Sequence, residues 1–232
     1  MSERVSGRSG AVEEALTGLE VDAFGVASVA DLAERRLRDQ VLALLPGARS
    51  MVVLAMEVYP EVLDHSRPDK MVGEASLRDM LAPHMDFLNG RLTKAVYDVA
   101  KLSRREGFRA LPMPAANYPT DQRHLTSVLS YKHAAEAAGL GTIGWHSLLV
   151  TPRFGPRVRL ACVLTEAELT PSPRLSEDLC TGCGECIEAC PSRALGEPPN
   201  GVPYAINKFA CSVFRGGSGS CAECMRVCTV GR

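Results

Sequence analysis

Helical and strand-like spacings of apolar residues alternate along the first 165 positions of the chain. Short continuous apolar runs predict strands that are buried on both faces. Apolar residues that recur every three or four positions predict amphipathic helices instead. We predict strands at 23–29, 50–56, 108–114, 147–151 and 157–165, and helices at 11–19, 31–45, 77–102 and 125–138. The pattern predicts a mixed domain of helices and strands, followed by a proline-containing linker at 167–176.

A glycine-rich stretch at 139–145 lies between a predicted helix and a predicted strand. Its letters, Gly-Leu-Gly-Thr-Ile-Gly-Trp, match the G-x-G-x-x-G pattern of dinucleotide-binding proteins. That fingerprint requires a strand before the glycines and a helix after them, and the order here is the reverse. We therefore interpret the glycines as a tight helix-to-strand turn, or as a place where a flat cofactor approaches the backbone.

The charge and hydropathy of the chain limit its partners. The 232 residues include 26 basic and 27 acidic side chains, and this balance offers no bulk attraction to nucleic acid. No apolar run reaches the length of a membrane span, and the first ten residues lack the apolar segment of a signal peptide. We therefore expect a cytoplasmic protein without a membrane partner, in which the nine cysteines are reduced.

Eight of the nine cysteines fall into two runs near the C-terminus. The first run, at 180–191, has the spacing Cys-x2-Cys-x2-Cys-x3-Cys-Pro of bacterial ferredoxins, and the second, at 211–228, has the looser spacing Cys-x9-Cys-x2-Cys-x3-Cys. In ferredoxins, three thiolates of a run bind one [4Fe–4S] cluster and the fourth binds the other cluster. This crossed arrangement predicts one cluster on Cys180, Cys183, Cys186 and Cys228, and another on Cys190, Cys211, Cys221 and Cys224.

Zinc and disulfide bonds are the alternatives for these cysteines. A zinc ribbon uses two Cys-x2-Cys pairs separated by a longer connection, whereas residues 180–186 carry three cysteines. Disulfide bonds require an oxidising compartment, and no export signal is evident in the sequence. The ninth cysteine, Cys162, lies in an apolar strand and is expected to be a buried packing thiol. We therefore predict two iron–sulfur clusters.

Several stretches resemble the epoxyqueuosine reductase family, whose distant relatives are the reductive dehalogenases. The resemblance rests on residues 45–54, 132–152, 155–160 and the two cysteine runs. It implies an α+β fold, in which a nitroreductase-like domain binds cobalamin and a small ferredoxin-like domain with two [4Fe–4S] clusters follows it. We place residues 1–168 in the first domain and residues 169–232 in the second.

The resemblance also implies roles for individual residues. In such relatives the glycine-rich turn approaches the corrin ring, and this role falls here on Gly141, Gly144 and Trp145. The clusters would relay single electrons from a ferredoxin or flavodoxin to the cobalamin. Reduction of an organic substrate also needs a proton donor beside the cobalt. The candidates for the proton donor are Tyr118, Asp121, His124 and Lys132.

The chain departs from the tRNA-modifying members of this family in three respects. It ends before a C-terminal helical-repeat extension for RNA could begin, and it lacks their Asp-Tyr-His signature after Val58. Counting back without gaps to the family's catalytic aspartate reaches Leu125, and the nearest carboxylate is Asp121. We therefore expect a short paralogue that reduces a small molecule and does not act on tRNA.

Two other functions stay open at the level of sequence. One is a corrinoid-handling or electron-carrier protein that reactivates a partner corrinoid enzyme and has no substrate of its own. The other is a scaffold whose first domain binds a flavin, or no cofactor, and which keeps only the clusters. His146, directly after the glycine-rich turn, is a further residue that could reach a cofactor edge.

Overall fold

The computed structural model describes residues 2–67, 69–218 and 221–232. In chain order the elements are α1 (Ser2–Thr17), β1 (Ala23–Ser28), α2 (Arg35–Leu44), β2 (Ser50–Glu57), α3 (Pro60–His65), β3 (Met71–Val72), β4 (Ala75–Ser76), a 3-10 turn (Leu77–Met80), α4 (Leu81–Arg105), β5 (Ala110–Met113), β6 (Thr120–Asp121), β7 (Thr126–Ser127), α5 (Tyr131–Ala137), β8 (Thr142–Ile143), β9 (Leu149–Val150), β10 (Val158–Thr165), α6 (Glu185–Glu188), β11 (Leu195–Gly196), β12 (Ala205–Ile206), α7 (Lys208–Ser218) and α8 (Glu223–Val227).

The chain forms two compact units, each of which combines separate stretches of sequence. The first unit contains Met1–Met56, Asn89–Leu140 and Arg159–Leu175, and the second contains Glu57–Leu88, Gly141–Val158 and Ser176–Arg232. The cysteine-rich region therefore shares a unit with two stretches that precede the predicted domain boundary after residue 168. The division of the chain into domains 1–168 and 169–232 stays a prediction.

A four-stranded sheet lies at the centre of the first unit, in the order β1-β2-β10-β5. β1 pairs antiparallel with β2, with Val26 opposite Val52, and β10 pairs antiparallel with β5, with Cys162 opposite Met113. Residues 50–55 of β2 are all buried, as a continuous apolar run predicts for a central strand. β5 carries Pro112 and lies at an edge of the sheet, where a residue without an N–H group is tolerated.

One face of this sheet packs against α1 and α4. The buried cluster there includes Val12, Leu16, Val26, Val52, Leu54, Leu92, Val96, Val99 and Val163. Burial of each such side chain stabilises the fold by about 1.5–3 kcal/mol. The helix α4 contributes most of its apolar stripe to this face, and its Pro83 lies in the first turn, where the missing N–H group leaves no hydrogen bond unmade.

The opposite face of the sheet packs against α5. A Cβ on Gly25 would lie 2.2 Å from the carbonyl oxygen of Ala138, so the end of α5 contacts the backbone of β1 directly. Neighbouring positions of a strand point to opposite faces, so Cys162 lies on this side and not with Val163. Cys162 is completely buried, and burial raises the pKa of its thiol. It is therefore the packing thiol that the sequence predicts.

Two predicted helices begin later than the sequence pattern indicates. The helix expected from Leu125 begins at Tyr131, because residues 120–127 form the hairpin of β6 and β7. The helix expected from Asp31 begins at Arg35, with Glu34 as its N-cap residue. Both corrections come from loop residues that apolar periodicity does not distinguish from a first helical turn.

The second unit consists of short elements. Its cysteine-rich part contains the hairpin of β11 and β12 and the helices α6, α7 and α8, and both α3 and α6 pack against α8. The glycine-rich stretch continues into the hairpin of β8 and β9, so the strand expected at 147–151 is only two residues long. Among the helices of the described residues, none combines the length and the apolar character needed to cross a membrane.

Candidate metal centre

Three cysteines lie on one tight loop at 180–186. Gly182 and Gly184 in this loop have φ values of 68° and 81°, in the left-handed region that glycine adopts without a steric penalty. Gly184 is also the N-cap residue of α6, so Cys186 lies in the first turn of that helix. The indole ring of Trp145 packs against Gly182, where a Cβ would lie 2.9 Å from the ring. The loop therefore requires glycine at 182 for both its conformation and its contact with Trp145.

A pocket lies against this loop and encloses about 370 Å³ of empty space, part of it open to solvent. All four predicted ligands of the first cluster line it, namely Cys180, Cys183, Cys186 and Cys228. Burial raises the pKa of Cys186 to about 11, and negative charges on Cys180 and Cys183 add to that effect. The pKa of Cys228 is raised by burial and by the same two thiols. The structure thus brings a cysteine of the second run to three cysteines of the first.

The other four cysteines form a second group. Burial, followed by charges on Cys221, Cys211, Cys186 and Cys190, raises the pKa of Cys224 to about 12. The pKa of Cys221 is also raised, first by burial and then by charges that include Cys211 and Cys190. Cys190 belongs to the first run of the sequence, yet it interacts with cysteines of the second run. The crossed assignment of the eight cysteines to two clusters stays a prediction.

Within residues 2–67, 69–218 and 221–232, no group of three or more His, Cys, Asp or Glu side chains is arranged to bind one metal ion. Thiolates around one tetrahedral zinc lie about 3.8 Å apart, because each Zn–S bond is about 2.3 Å long, whereas a [4Fe–4S] cluster carries its four thiolates on four different irons. The three cysteines within residues 180–186 remain the argument for a cluster over zinc.

Hydrogen bonds reach the sulfur atoms of two predicted ligands. The backbone N–H of Trp145 donates to Cys180 Sγ at 3.5 Å, and that of Ala194 donates to Cys190 Sγ at 3.3 Å. Burial acts to raise the pKa of Cys190, but hydrogen bonds from Ser192 and from backbone N–H groups outweigh it and lower the pKa. Such hydrogen bonds stabilise a thiolate, which is the form that binds iron, and they also set the potential of a cluster.

Arg157 is a buried cation near the first group of thiols. Its side chain is 2% exposed and donates hydrogen bonds to the backbone carbonyl oxygens of Val230 and Gly231. Burial, followed by the charge of Arg232, lowers the pKa of Arg157, and the charge of Cys228 acts in the opposite direction. Strand alternation predicts Arg157 and Arg159 together on the face opposite Val158, but Arg157 precedes β10 and its backbone does not continue the strand.

Sequence reasoning missed Arg157 as a functional residue. Its hydrogen-bond partner Val230 lies 73 residues later in the chain. No local pattern indicates a partner at that separation. The only signal was an arginine in the Gly-Pro-Arg turn before a strand, which is also a common surface feature.

The glycine-rich turn packs on its own chain. A Cβ on Gly141 would lie 2.0 Å from the carbonyl oxygen of Val150, and one on Gly144 would lie 2.8 Å from the ring of His146. Local packing therefore accounts for both glycines, which favours the tight-turn interpretation of this stretch. Trp145 lies against the cysteine loop. The corrin contacts predicted for these three residues stay predictions.

Polar side chains connect this turn to the cysteine loop. Thr142 Oγ1 accepts the N–H of Leu179 at 3.0 Å, and Asp178 Oδ1 accepts the N–H of Cys180 at 3.0 Å. The hydroxyl of Thr142 in turn donates to Asp178 Oδ1 at 3.1 Å. These bonds place the first cysteine of the loop next to the turn.

His146 lines the same pocket and is 3% exposed. Its Nδ1 accepts the N–H of Leu148 at 3.1 Å. The neutral imidazole ring therefore carries its proton on Nε2 and is a hydrogen-bond donor there. The expectation that His146 reaches a cofactor edge stays a prediction.

Two of the four candidate proton donors form a pair in the first unit. His124 Nδ1 lies 2.8 Å from Asp121 Oδ2, on the hairpin of β6 and β7. The hydrogen bond from His124, followed by one from the N–H of Arg123, lowers the pKa of Asp121. Asp121 is therefore ionised at neutral pH and does not donate a proton itself. His124 is 71% exposed and is the member of the pair that can carry a proton.

The other two candidates lie beside α5. The ring of Tyr118 is 4.7 Å from that of Tyr131, whose hydroxyl donates to the carbonyl oxygen of Pro114 at 2.7 Å. Burial, followed by nearby Cys162, raises the pKa of Tyr131. Lys132 follows in the first turn of α5 and is partly exposed. Tyr118 therefore lies against α5, whereas Asp121 and His124 lie on the hairpin of β6 and β7.

Two non-glycine residues around the hairpin of β6 and β7 have left-handed backbone conformations. Asn117 has φ of 60° and Leu125 has φ of 47°. Leucine rarely adopts this region, and such a residue costs on the order of 1–3 kcal/mol. Strain of this kind is often found where a loop holds functional side chains. The sequence pattern predicted a helix through Leu125 and gave no indication of it.

Comparison with known proteins gives the family of this chain. A 4Fe-4S binding domain matches residues 173–196. A tetrachloroethene reductive dehalogenase of Dehalobacter restrictus is 31% identical over 158 residues, which cover 60% of this chain and 27% of that protein. An epoxyqueuosine reductase of Bacillus cereus is 31% identical over 166 residues, which cover 70% of this chain and 39% of that protein. These relatives and the 4Fe-4S domain support the epoxyqueuosine reductase and reductive dehalogenase family as the family of this chain.

A solved structure shows that the fold of this family extends over most of the chain. A reductive dehalogenase, whose structure suggests a mechanism for B12-dependent dehalogenation, superposes with a TM-score of 0.69 over 92% of this chain and 30% of its own, at 18% identity. The chain therefore has a mixed α/β fold with a ferredoxin-like segment. It spans less than half the length of the two relatives named above.

Proposed function

We propose that this protein is an iron–sulfur reductase that passes single electrons through two [4Fe–4S] clusters to a bound cobalamin and reduces a small substrate. The position of Cys228 around one pocket with Cys180, Cys183 and Cys186 carries the proposal, because it joins a cysteine of the second run to three of the first. Eight ligands serve two clusters of this type, because each cluster takes four thiolates.

The residues present fit a cluster at each group. The first group has a pocket beside a glycine-containing loop, and the N–H of Trp145 and the cation of Arg157 lie near its thiols. The second has hydrogen bonds from Ser192 and Ala194 to a ligand sulfur. When bound, the clusters supply one-electron transfer. The protein binds them through thiolates and adjusts their potentials through these donors and charges.

The case for cobalamin comes from the family and not from the described side chains. The structure of one relative concerns B12-dependent dehalogenation. Gly141 and Gly144, the residues proposed to approach the corrin, are already accounted for by local packing. The nitroreductase-like cobalamin domain is proposed on the ground of the family, and the cofactor of the purified protein is therefore the first property to measure.

His124 is the proton donor in this proposal, with Asp121 as its positioning residue. The ionised carboxylate of Asp121 accepts the Nδ1–H of His124, which leaves Nε2 to carry and release the proton. The exposed position of the ring gives it access to a bound substrate. A proton donor of this type contributes about 10²- to 10⁴-fold to a rate.

Anaerobic reconstitution tests the proposal. The purified chain, loaded with iron and sulfide, should bind about eight irons and should bind cob(II)alamin with a change in its visible spectrum. With a chemical reductant, it should then release bromide from 3-bromo-4-hydroxybenzoic acid, the compound in complex with a solved reductive dehalogenase, or reduce another small substrate. Binding of about four irons per chain, or no binding of cobalamin, would contradict the proposal.

The same experiment distinguishes the other two functions. A flavin spectrum in anaerobically purified protein would show that the protein binds flavin and is not a cobalamin reductase. Binding of cobalamin without turnover of any substrate would indicate a corrinoid-handling protein that serves a partner enzyme.

A further inference from the structure

The exposed face of α7 combines apolar and basic side chains on the helix that carries one predicted cluster ligand. Phe209 is 55% exposed and Val213 is 76% exposed, which are high values for large apolar residues. They are four residues apart and therefore adjacent on the helix surface. Lys208 and Arg215 are exposed on the same helix, and α7 contains no acidic residue.

The exposed and the less exposed residues of α7 lie on opposite sides of the helix. Each residue advances about 100° around a helix axis, so the exposed residues fall within an arc of about 160°. In order around the helix these residues are Arg215, Lys208, Ser212, Phe209 and Val213. The less exposed residues Ala210, Cys211 and Phe214 occupy the opposite arc. Cys211 therefore points inward, toward the second group of thiols, while the apolar and basic side chains point outward.

We propose that this face of α7 is the docking surface for a small acidic one-electron carrier of the ferredoxin or flavodoxin class. This inference rests on the proposed function, because it assigns the entry point of electrons to the second cluster. An apolar patch beside fixed positive charges suits a partner whose apolar contact patch is bordered by carboxylates. A carrier docked there lies about one helix diameter, 10–12 Å, from the opposite side of α7, where Cys211 lies.

Transfer at this surface moves one electron. The reduced carrier loses one electron and is oxidised, and the cluster held by Cys190, Cys211, Cys221 and Cys224 gains it. No bond is formed or broken and no proton is transferred.

Rapid mixing under anaerobic conditions tests the proposal, with a reduced plant-type ferredoxin as the probe. The cluster-loaded protein is mixed with ferredoxin at low ionic strength, and the second-order rate constant of cluster reduction is measured from the visible absorbance. Val213→Glu places a negative charge in the apolar patch of Phe209 and Val213. It should lower this rate constant about tenfold or more, because the added charge repels the acidic ferredoxin. Lys208→Glu should lower it as well, and should weaken its dependence on salt.

A matched control uses another exposed valine. Val72 on β3 is 66% exposed, so Val72→Glu makes the same chemical change on a different surface and should leave the rate constant within about twofold of the wild type. Equal effects of the two substitutions would overturn the proposal.

A chemical reductant separates failure of this inference from failure of the proposed function. Suppose that dithionite reduces the clusters of the wild type and of Val213→Glu equally. If ferredoxin then also reduces the two proteins at the same rate, the proposed docking surface is wrong, while the proposed clusters are retained. If dithionite reduces no cluster in the wild type, the proposed function fails first. If Val213→Glu changes the sedimentation of the free protein and not its rate with ferredoxin, the face joins two copies of the chain and the proposal is overturned.

Discussion

Individual side chains near the first group of thiols contribute charge and hydrogen bonds. A buried arginine loses much of its hydration, which costs several kcal/mol unless other groups replace the water. The carbonyl oxygens of Val230 and Gly231 replace part of it for Arg157, and the structure shows no hydrogen bond to its Nε. Arg157 stays charged at any pH at which the protein is folded. It is therefore a fixed positive charge close to Cys228.

We predict that Arg157→Gln lowers the reduction potential of the cluster at Cys180, Cys183, Cys186 and Cys228. Reduction adds a negative charge, which a nearby cation stabilises. The expected shift is about 30–60 mV, since 59 mV corresponds to a tenfold change in a one-electron equilibrium. Potentiometric titration monitored by electron paramagnetic resonance measures it, with the second cluster as an internal control. Arg157→Lys keeps the charge and should shift the potential less, so equal shifts in the two variants would argue against an electrostatic role.

The pair of Asp121 and His124 leads to a prediction about pH. Hydrogen bonds from His124 and then Arg123 lower the pKa of Asp121 below its ordinary value of 3.8. The pKa is therefore lower in the folded hairpin than in the unfolded chain. The contribution of this carboxylate to stability is fully present above pH 3.8 and is lost as the pH falls through the lower folded value. Titration of the Asp121 carboxyl by nuclear magnetic resonance should show this, and a midpoint at or above its ordinary value would contradict the pairing.

The same pair predicts non-additive effects on turnover. Asp121→Asn and His124→Gln should each reduce the rate of substrate reduction about 10²-fold or more, while binding of the clusters is unchanged. The double variant should be no slower than the slower single variant, because the two residues act as one unit. Asp98→Asn is the control, since Asp98 is an exposed carboxylate paired with Lys94 on α4. Additive losses would mean that the residues act separately.

At the scale of elements, short turns position the cysteines. The turn at 139–145 and the loop at 180–186 are joined by hydrogen bonds at Thr142 and Asp178 and by the contact of Trp145 with Gly182. A Cβ does not fit at Gly141, Gly144 or Gly182, so packing within the second unit explains these three glycines. Gly184 has open space around a Cβ and is explained by its φ of 81°.

We expect Gly141→Ala to destabilise the protein by about 1–3 kcal/mol, because its Cβ would lie 2.0 Å from the carbonyl oxygen of Val150. Gly196→Ala is the matched control, since nothing lies within 4 Å of a Cβ at that position. Urea unfolding of the cluster-loaded protein without cobalamin measures both. A Gly141→Ala variant that is as stable as the wild type but binds cobalamin weakly would show that the glycine faces the corrin.

For the whole molecule, the proposed function predicts two separable metal centres. Cys183→Ser should abolish the first cluster and Cys224→Ser the second, and each variant should keep about half of the iron. Iron and sulfide analysis together with electron paramagnetic resonance of the reduced variants checks this. Loss of both signals in one variant that keeps its circular dichroism spectrum would contradict the assignment. If the spectrum is lost as well, the clusters are needed for folding of the second unit.

The spacing of cysteines and the apolar periodicity are local properties, and the sequence by itself determined what depends on them. Cys180, Cys183 and Cys186 lie on one short loop, so their spacing alone indicates a shared site. The buried run of β2 and the stripe of α4 also follow from neighbouring residues. The identification of a [4Fe–4S] domain and of the family needed no tertiary information.

Only the tertiary structure decided which distant residues meet. It grouped Gly141–Val158 with the cysteine-rich region, buried Arg157 against the carbonyl of Val230, and paired Asp121 with His124 on a hairpin where periodicity predicted a helix. These outcomes depend on chain reversals at loops, and loop conformations are not encoded in apolar periodicity. The sequence therefore indicated a [4Fe–4S] binding domain, and the structure showed which charges and hydrogen bonds surround its cysteines.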